Sequence, residues 1–158
     1  MCSNTECSVE NRTRNSATII LNNINKIHTK GFSYLQNLLQ RYLLSKTMPC
    51  LQKNCYGIIS RSINLGNHIF IEADTLSLNS TTYSCLLSDI PVKMDLNQKK
   101  YALVAVIHYV SFHYMTYVRR AYGKWERHND LEQKIKKIKS IEKTKVNPHL
   151  LLYIETND

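Results

Sequence analysis

The fold is decided by residues 100–131, which read KYALVAVIHYVSFHYMTYVRRAYGKWERHNDL. The apolar run and the alternating residues after it predict a buried strand, a tight connection before His113, a second strand, a turn and a third strand. Strands joined by such short connections pair as antiparallel neighbours. We therefore expect the start of the second strand to meet the end of the third, which brings His113 next to Asn129 and Asp130.

His113 and Asn129 have the chemistry of an imidazole base and its orienting partner. The amide oxygen of Asn129 can accept a hydrogen bond from Nδ1–H of His113, which would leave Nε2 free as a base. Such a pair usually serves a thiol, because a cysteine needs a base and little further activation. No convincing nucleophile accompanies the pair, since Cys55 belongs to a cysteine pair and Cys85 lies in an apolar strand. A single strand histidine is also commonly structural, and this alternative stays open.

Length and composition indicate one domain, or a domain with an appendage. The chain has 158 residues, of which 43% are hydrophobic, and its four glycines and three prolines are too few for a disordered chain. No stretch reaches the roughly 18 apolar residues of a membrane span, and the polar N-terminus lacks the apolar core of a signal peptide. We therefore expect a cytoplasmic or nuclear protein without a membrane partner, whose cysteines stay reduced and more often bind metal than form disulfides.

A cluster of lysines follows the central stretch and supplies much of the formal net charge of +9. Apolar residues recur from Leu131 to Ile141 at spacings of four, three and three, which predicts an amphipathic helix with the lysines on its other face. Such a face is either simply solvated or a patch for an acidic surface. No aromatic side chain lies among the lysines, which argues against nucleic acid binding. The lysines are Lys134, Lys136, Lys137, Lys139, Lys143 and Lys145.

Two cysteine pairs with the spacing C-x4-C predict a zinc site. The first pair is Cys2 and Cys7, and the second is Cys50 and Cys55. Each pair can present two thiolates from a tight turn, and strands that join the two turns would form a tetrahedral site of four sulfurs, as in a zinc ribbon. The alternative is four unrelated thiols. The matching spacers favour structural zinc.

The remaining segments predict further strands and one more helix. Ser33 is a candidate helix N-cap, and apolar residues at helical spacing extend from it to about Ser45. Residues 76–80 are predicted to form a loop. The predicted strands cover residues 18–24, 58–63, 68–73, 83–87, 92–96 and 149–154. With the central stretch, they predict an α+β fold: a mainly antiparallel sheet with two helices and a zinc-ribbon-like extension.

The pattern resembles the C-terminal half of the ubiquitin-specific proteases, a family of papain-like deubiquitinating enzymes. The histidine box of that family consists of an apolar strand ending in histidine, a short loop, Gly-His-Tyr, Ala-Tyr, and a Trp followed after three residues by Asp/Asn-Asp. The matching positions here are residues 101–108, His113 with Tyr114, Trp125, and Asn129 with Asp130. The cysteine pairs resemble the zinc-ribbon tip of the family's fingers, and residues 149–154 resemble its last strand.

The resemblance implies a role for each residue of the box. His113 would be the general base, Asn129 its orienting partner, and Asp130 a supporting polar residue. The implied reaction is thiol-dependent hydrolysis of (iso)peptide bonds at the ubiquitin C-terminus, with ubiquitin or a ubiquitin-conjugated protein as partner. Residues 1–66 would form a fingers-like zinc-ribbon region and residues 67–158 a palm-like sheet.

The sequence departs from the family in three places. Phe112 stands where the family has glycine, the cysteine spacing is C-x4-C where C-x2-C is usual, and the cysteine box Gly-x-x-Asn-x-Gly-Asn-x-Cys-Tyr is absent. Two alternatives therefore stay open. One is a non-catalytic ubiquitin-binding fragment, and the more distant one is a basic zinc-ribbon protein that binds nucleic acid.

Overall fold

The computed structural model describes residues 2–8, 15–21, 24–44, 46–73 and 83–156. The helices are α1 (Ile24–Lys30) and α2 (Leu35–Leu43). The strands are β1 (Thr18–Ile20), β2 (Lys46–Pro49), β3 (Ile58–Arg61), β4 (His68–Glu72), β5 (Cys85–Leu86), β6 (Lys93–Leu96), β7 (Lys99–Val110), β8 (His113–Arg119), β9 (Trp125–His128), β10 (Lys136–Lys137), β11 (Lys145–Val146) and β12 (Pro148–Thr156). The predicted loop at residues 76–80 lies outside the described residues.

The main sheet is mostly antiparallel, as predicted. Seven strands lie side by side in the order β1-β4-β12-β7-β8-β9-β10, and β6 also pairs with β7. Only β1 and β4 run parallel among these pairs of described strands. Two further two-stranded sheets are formed by β2 with β3 and by β5 with β11. The long strand β7 is central, and β8 and β9 extend the sheet from it as the predicted meander.

One hydrophobic cluster joins the sheet to the helices. Its largest side chains include Tyr101 on β7 and Tyr153 on β12, both fully buried. A buried phenol needs a hydrogen-bond acceptor, and each hydroxyl donates to a backbone carbonyl, of Gly66 at 2.9 Å and of Pro91 at 2.7 Å. Leu35 and other apolar residues of α2 complete the cluster. The strands that carry the residues of the central meander are thus anchored in the hydrophobic core.

The turn between β7 and β8 positions His113. Val110 pairs with His113, so only Ser111 and Phe112 connect the two strands. Their φ angles are 49° and 63°, the left-handed values that a two-residue type I′ hairpin turn requires. Glycine adopts such values most readily, and the Phe112 side chain is 96% exposed, without packing that would offset the strain. His113 is therefore the first residue of β8, directly after a tight turn.

The predicted lysine helix is wrong. Lys136 and Lys137 form the short strand β10, which pairs with Arg127 and Glu126 of β9, and the N–H of Ile138 donates to the carbonyl of Trp125 at 2.9 Å. These backbone hydrogen bonds to the edge of β9 stabilise an extended conformation, although the isoleucines have helical spacing. Lysines are common on edge strands because their charge prevents pairing with other chains.

The second helix lies elsewhere than predicted. The predicted strand at residues 18–24 ends at Ile20, and α1 begins at Ile24. Ser33 is not the N-cap of α2, since it lies within a 3₁₀ turn (Phe32–Tyr34) and Tyr34 occupies the cap position. The other predicted strands are present within a few residues of their expected ends. No helix among the described residues is long and apolar enough to cross a membrane.

Candidate functional site

The end of β9 lies beside the start of β8, because Thr116 pairs with His128 in the antiparallel register. This register brings Asn129, the residue after β9, next to His113. Oδ1 of Asn129 is 2.7 Å from Nε2 of His113. An amide oxygen only accepts, so Nε2 must carry the hydrogen, and Nδ1 is the ring nitrogen that can take up a proton. The two residues therefore form a hydrogen-bonded pair of defined polarity.

The ring nitrogen that contacts Asn129 differs from the prediction. We expected Nδ1 to bond Asn129 and Nε2 to be the base, and the ring has the opposite orientation. The reason is the rotamer of His113, which residue spacing does not reveal. Within the described part of the chain, Nδ1 of His113 has no hydrogen-bond partner.

Asp130 contacts the same side of the imidazole. Its Oδ1 lies 3.4 Å from Nε2 of His113, and its side chain is 82% exposed. At this exposure the carboxylate interacts weakly with the neutral ring. Its attraction matters once the ring is protonated, since a carboxylate then faces a full positive charge.

His113 opens onto a cavity of about 560 Å³. Polar side chains make up most of its lining, and three exposed apolar side chains form what we call its apolar rim. Phe112, Tyr114 and Ile135 line it, and each exposes half or more of its side chain. The other lining residues are His113, Thr116, His128, Asn129, Asp130, Glu132 and Gln133. No cysteine is among the lining residues, so the described cavity has a base but lacks a thiol.

Four of the five cysteines of the chain form one cluster. The Sγ atoms of Cys2, Cys7, Cys50 and Cys55 all lie within 4.8 Å of one another. The Sγ atoms of Cys2 and Cys55 are 3.6 Å apart, and those of Cys7 and Cys50 are 3.7 Å apart. Sulfur ligands at about 2.3 Å from a tetrahedral zinc lie about 3.8 Å from one another. The sulfur positions are therefore compatible with a zinc ion.

Two backbone features hold this cluster together. The pairing of β2 with β3 places the second cysteine pair on the connection between them, and the N–H of Cys50 donates to the carbonyl of Gly57 at 2.8 Å. The first pair joins through a bridge between Cys2 and Ile59 of β3. The N–H of Gly57 also donates to Sγ of Cys55, which lowers the pKa of that thiol to about 7. A thiolate is the form that binds metal.

Gly57 is required by close packing, which no sequence pattern predicted. A β-carbon at this position would lie 2.4 Å from Sγ of Cys2 and 3.1 Å from the backbone nitrogen of Asn4. Such a contact is far shorter than van der Waals distance, so any other residue would displace the sulfur. Gly57 thus belongs to the cysteine cluster although it offers no ligand.

Cys85 is a packed thiol, as expected. It is buried in β5, where burial raises the pKa of its thiol to about 12. A thiol that stays protonated at neutral pH is a poor nucleophile. With the other four cysteines in the cluster, the chain therefore presents no reactive thiol to His113.

His108 has a structural role in the sheet. It is buried, and its Nδ1 accepts a hydrogen bond from the N–H of Asn147 at 2.6 Å. Burial lowers the pKa of His108 and so favours the neutral ring. The lysines of residues 134–145 are all exposed. Lys136 and Lys137 belong to the edge strand, and the described residues there form no basic helix.

The comparisons with known proteins agree on the fold. The chain is similar to a chain of the SAGA DUB module Ubp8/Sgf11/Sus1/Sgf73 bound to monoubiquitin, with a TM-score of 0.52 and 16% identity over 78% of this chain and 33% of that one. It is also similar to a chain of the yeast SAGA DUB module with a mutant Sgf73, with a TM-score of 0.50, 16% identity and the same two coverages. The chain thus spans about a third of the length of these solved chains.

One similarity to a curated sequence was found. The chain is 36% identical over 77 residues to the 120.7 kDa protein in the NOF-FB transposable element of Drosophila melanogaster. The match covers 45% of this chain and 7% of that protein. No family model matches the sequence. Taken together, the sheet, the cysteine cluster and the structural neighbours show a fold like that of a ubiquitin-specific protease.

Proposed function

We propose that the chain is the base-carrying part of a cysteine-type deubiquitinase. His113 acts as the general base, Asn129 orients its ring, and Asp130 stabilises the protonated ring. The observation that carries the proposal is the 2.7 Å contact between Nε2 of His113 and Oδ1 of Asn129 at an open cavity. It leaves Nδ1 as the basic nitrogen, which is the arrangement that a thiol-activating imidazole needs.

The proposed reaction proceeds through a thioester. Nδ1 of His113 removes the proton of a cysteine thiol, and the thiolate attacks the carbonyl carbon of the last residue of ubiquitin. The imidazolium then gives its proton to the leaving lysine amine as the C–N bond breaks. His113 next deprotonates a water molecule, which hydrolyses the thioester, and the thiol recovers its proton. During both steps the carboxylate of Asp130 faces the positive ring at 3.4 Å.

The thiol in this proposal comes from outside the chain. None of the five cysteines is placed to serve His113, since four form the cluster and Cys85 is buried. Phe112, Tyr114 and Ile135 form an exposed apolar rim, which is typical of a surface that another protein surface covers. That second surface would carry the thiol. Another segment of a longer polypeptide, or a second chain, would supply it.

The two parts of the chain would have separate tasks. Residues 67–158 would act as a palm-like sheet that carries the base, and residues 1–66 as a fingers-like region. Zinc in the cluster of Cys2, Cys7, Cys50 and Cys55 would have a structural role, since four sulfur ligands leave no open position for catalysis. Ubiquitin, or a protein conjugated to it, would be the partner, and the site of action would be the cytoplasm or the nucleus.

Hydrolysis of a fluorogenic ubiquitin amide tests the proposal. We expect the chain alone to be inactive, and a polypeptide or complex that also supplies the thiol to be active. His113→Ala in the active protein should lower kcat by about 10²- to 10⁴-fold, the usual contribution of a general base. Cys85→Ala is the matched control and should keep full activity. Activity that survives His113→Ala, or is lost with Cys85→Ala, would contradict the proposed roles.

The alternative is a non-catalytic module that binds ubiquitin. The absence of a thiol at the cavity favours this alternative. It predicts that the chain binds ubiquitin, while no longer polypeptide that contains it reacts with an electrophile at the ubiquitin C-terminus. Covalent capture of such a probe would exclude it.

A further inference from the structure

We infer that Glu132 is a positioning residue, which fixes the amide of Asn129 and through it the tautomer of His113. The inference deepens the proposed function and rests on it, because a fixed tautomer matters only if His113 is a base. Neither the resemblance nor the comparisons assign a role to Glu132.

Each end of the Asn129 amide has a partner of the matching kind. Its oxygen accepts from Nε2 of His113 at 2.7 Å and from the N–H of Leu131 at 3.0 Å. Its Nδ2 donates to Oε1 of Glu132 at 3.3 Å. A flipped amide would point its NH₂ group at two donors and its oxygen at a carboxylate. A carboxylate only accepts, so Glu132 selects the orientation in which the oxygen faces His113.

A turn holds Glu132 against Asn129. The N–H of Glu132 donates to the carbonyl of Asn129 at 3.0 Å, and the bond from the N–H of Leu131 to Oδ1 closes an Asx turn. The turn therefore holds the backbone of Glu132 close to Asn129, which keeps the Glu132 carboxylate within reach of the amide. The side chain of Glu132 is 26% exposed, so it is partly shielded from water.

Two cations keep Glu132 ionised and in place. The guanidinium of Arg127 donates to Oε1, and Nζ of Lys136 lies 2.9 Å from Oε2. Lys136 and Arg127 lower the pKa of Glu132 to about 2, so the group is a pure acceptor at neutral pH. Arg127 and Lys136 are paired residues of β9 and β10. The edge strand that replaces the predicted lysine helix thus supports the Asn129 amide.

The tautomer of His113 can be measured directly by NMR. Long-range ¹⁵N–¹H correlations of the imidazole distinguish a ring with hydrogen on Nε2 from one with hydrogen on Nδ1. We expect the wild-type neutral ring to carry its hydrogen on Nε2. Glu132→Gln keeps the shape of the side chain but can turn an NH₂ group toward Asn129, so the Nδ1–H form should rise on the order of tenfold, as expected for the loss of one charge-assisted hydrogen bond.

Two further variants make the experiment decisive. Glu142→Gln is the matched control at an exposed glutamate, which accepts from Ser140 and does not line the cavity, and it should leave the tautomer unchanged. The Asp130 carboxylate also favours hydrogen on Nε2, so Glu132→Gln is measured in an Asp130→Ala background as well, where the shift should be larger.

An unchanged tautomer in both backgrounds, with the amide spectrum showing a folded protein, would overturn the role of Glu132. The measurement needs no ubiquitin and no thiol. A failure here would therefore leave the proposed function standing. Conversely, a failure to bind ubiquitin would remove the proposed function without changing the tautomer result.

Discussion

Replacement of Cys50 by serine should remove zinc from the cysteine cluster and destabilise the finger, which consists of β2, β3 and the connection between them. The finger has little other stabilisation, because all four residues of β2 and three of the four residues of β3 are exposed. Its residues are therefore held by the four sulfurs rather than by a hydrophobic core. Cys50 is buried, and its Sγ lies 3.7 Å from that of Cys7. A serine hydroxyl does not replace a thiolate as a zinc ligand, so the site would lose one side of its tetrahedron.

The magnitude follows from the linkage between metal binding and folding. With free zinc at 100 to 1,000 times its Kd, the bound ion stabilises the finger by about 2.7 to 4.1 kcal/mol. Hydrogen exchange of the amide of Cys50, which bonds the carbonyl of Gly57, should therefore accelerate about 100- to 1,000-fold in Cys50→Ser. Amides of β7 and β12 lie in the main sheet and should exchange as before.

Zinc content and hydrogen exchange, measured with and without a chelator, form the assay. Wild-type protein should hold one zinc per chain, and Cys50→Ser should hold far less. Cys85→Ser is the control, since it removes a buried thiol outside the cluster and should keep the full zinc content. A Cys50→Ser protein that retains one zinc, or whose finger exchanges at the wild-type rate, would contradict a zinc-stabilised finger.

Three further predictions concern single side chains. Gly57→Ala should lower zinc affinity, because its β-carbon would lie 2.4 Å from Sγ of Cys2. Gly66→Ala is the control, since its β-carbon would lie no closer than 3.9 Å to another atom, and it should leave zinc affinity unchanged. Zinc titration of the two variants compares them. Leu151→Ala, at a fully buried position of β12, should lower the free energy of unfolding by about 2 to 5 kcal/mol in urea. The pKa of Glu132 is lowered from 4.5 to about 2, so its ion pairs stabilise the fold above pH 4.5 and are lost as the pH falls toward 2. The stability difference between wild type and Glu132→Gln should shrink over that interval, and a constant difference would contradict this.

Local signals in the sequence were enough to predict the meander and the cysteine cluster. Alternating residues and short connections constrain β7, β8 and β9 to pair as antiparallel neighbours, so the approach of His113 to Asn129 could be expected. The matching C-x4-C spacers likewise placed the four cysteines in one group. The strands of the meander are joined by short connections, and within each cysteine pair only four residues separate the two ligands.

Features that depend on tertiary contacts could not be predicted. The spacing of the isoleucines near Ile138 fits a helix, but the N–H of Ile138 bonds Trp125 on the sheet edge. The choice between Nδ1 and Nε2 of His113 depends on the rotamer of its side chain in the folded chain. The need for Gly57 arises from a sulfur more than fifty residues away in sequence, on Cys2. Each of these requires the folded chain.

Binding of ubiquitin is the decisive measurement, because both the catalytic and the non-catalytic forms of the proposed function require it. The measurement is a titration of ¹⁵N-labelled ubiquitin with the chain, observed together with the imidazole signals of His113. With zinc-loaded protein, we expect saturable shifts in the C-terminal residues of ubiquitin and in the ring of His113. Ubiquitin spectra that stay unchanged when folded, zinc-loaded chain is added in large excess would contradict it.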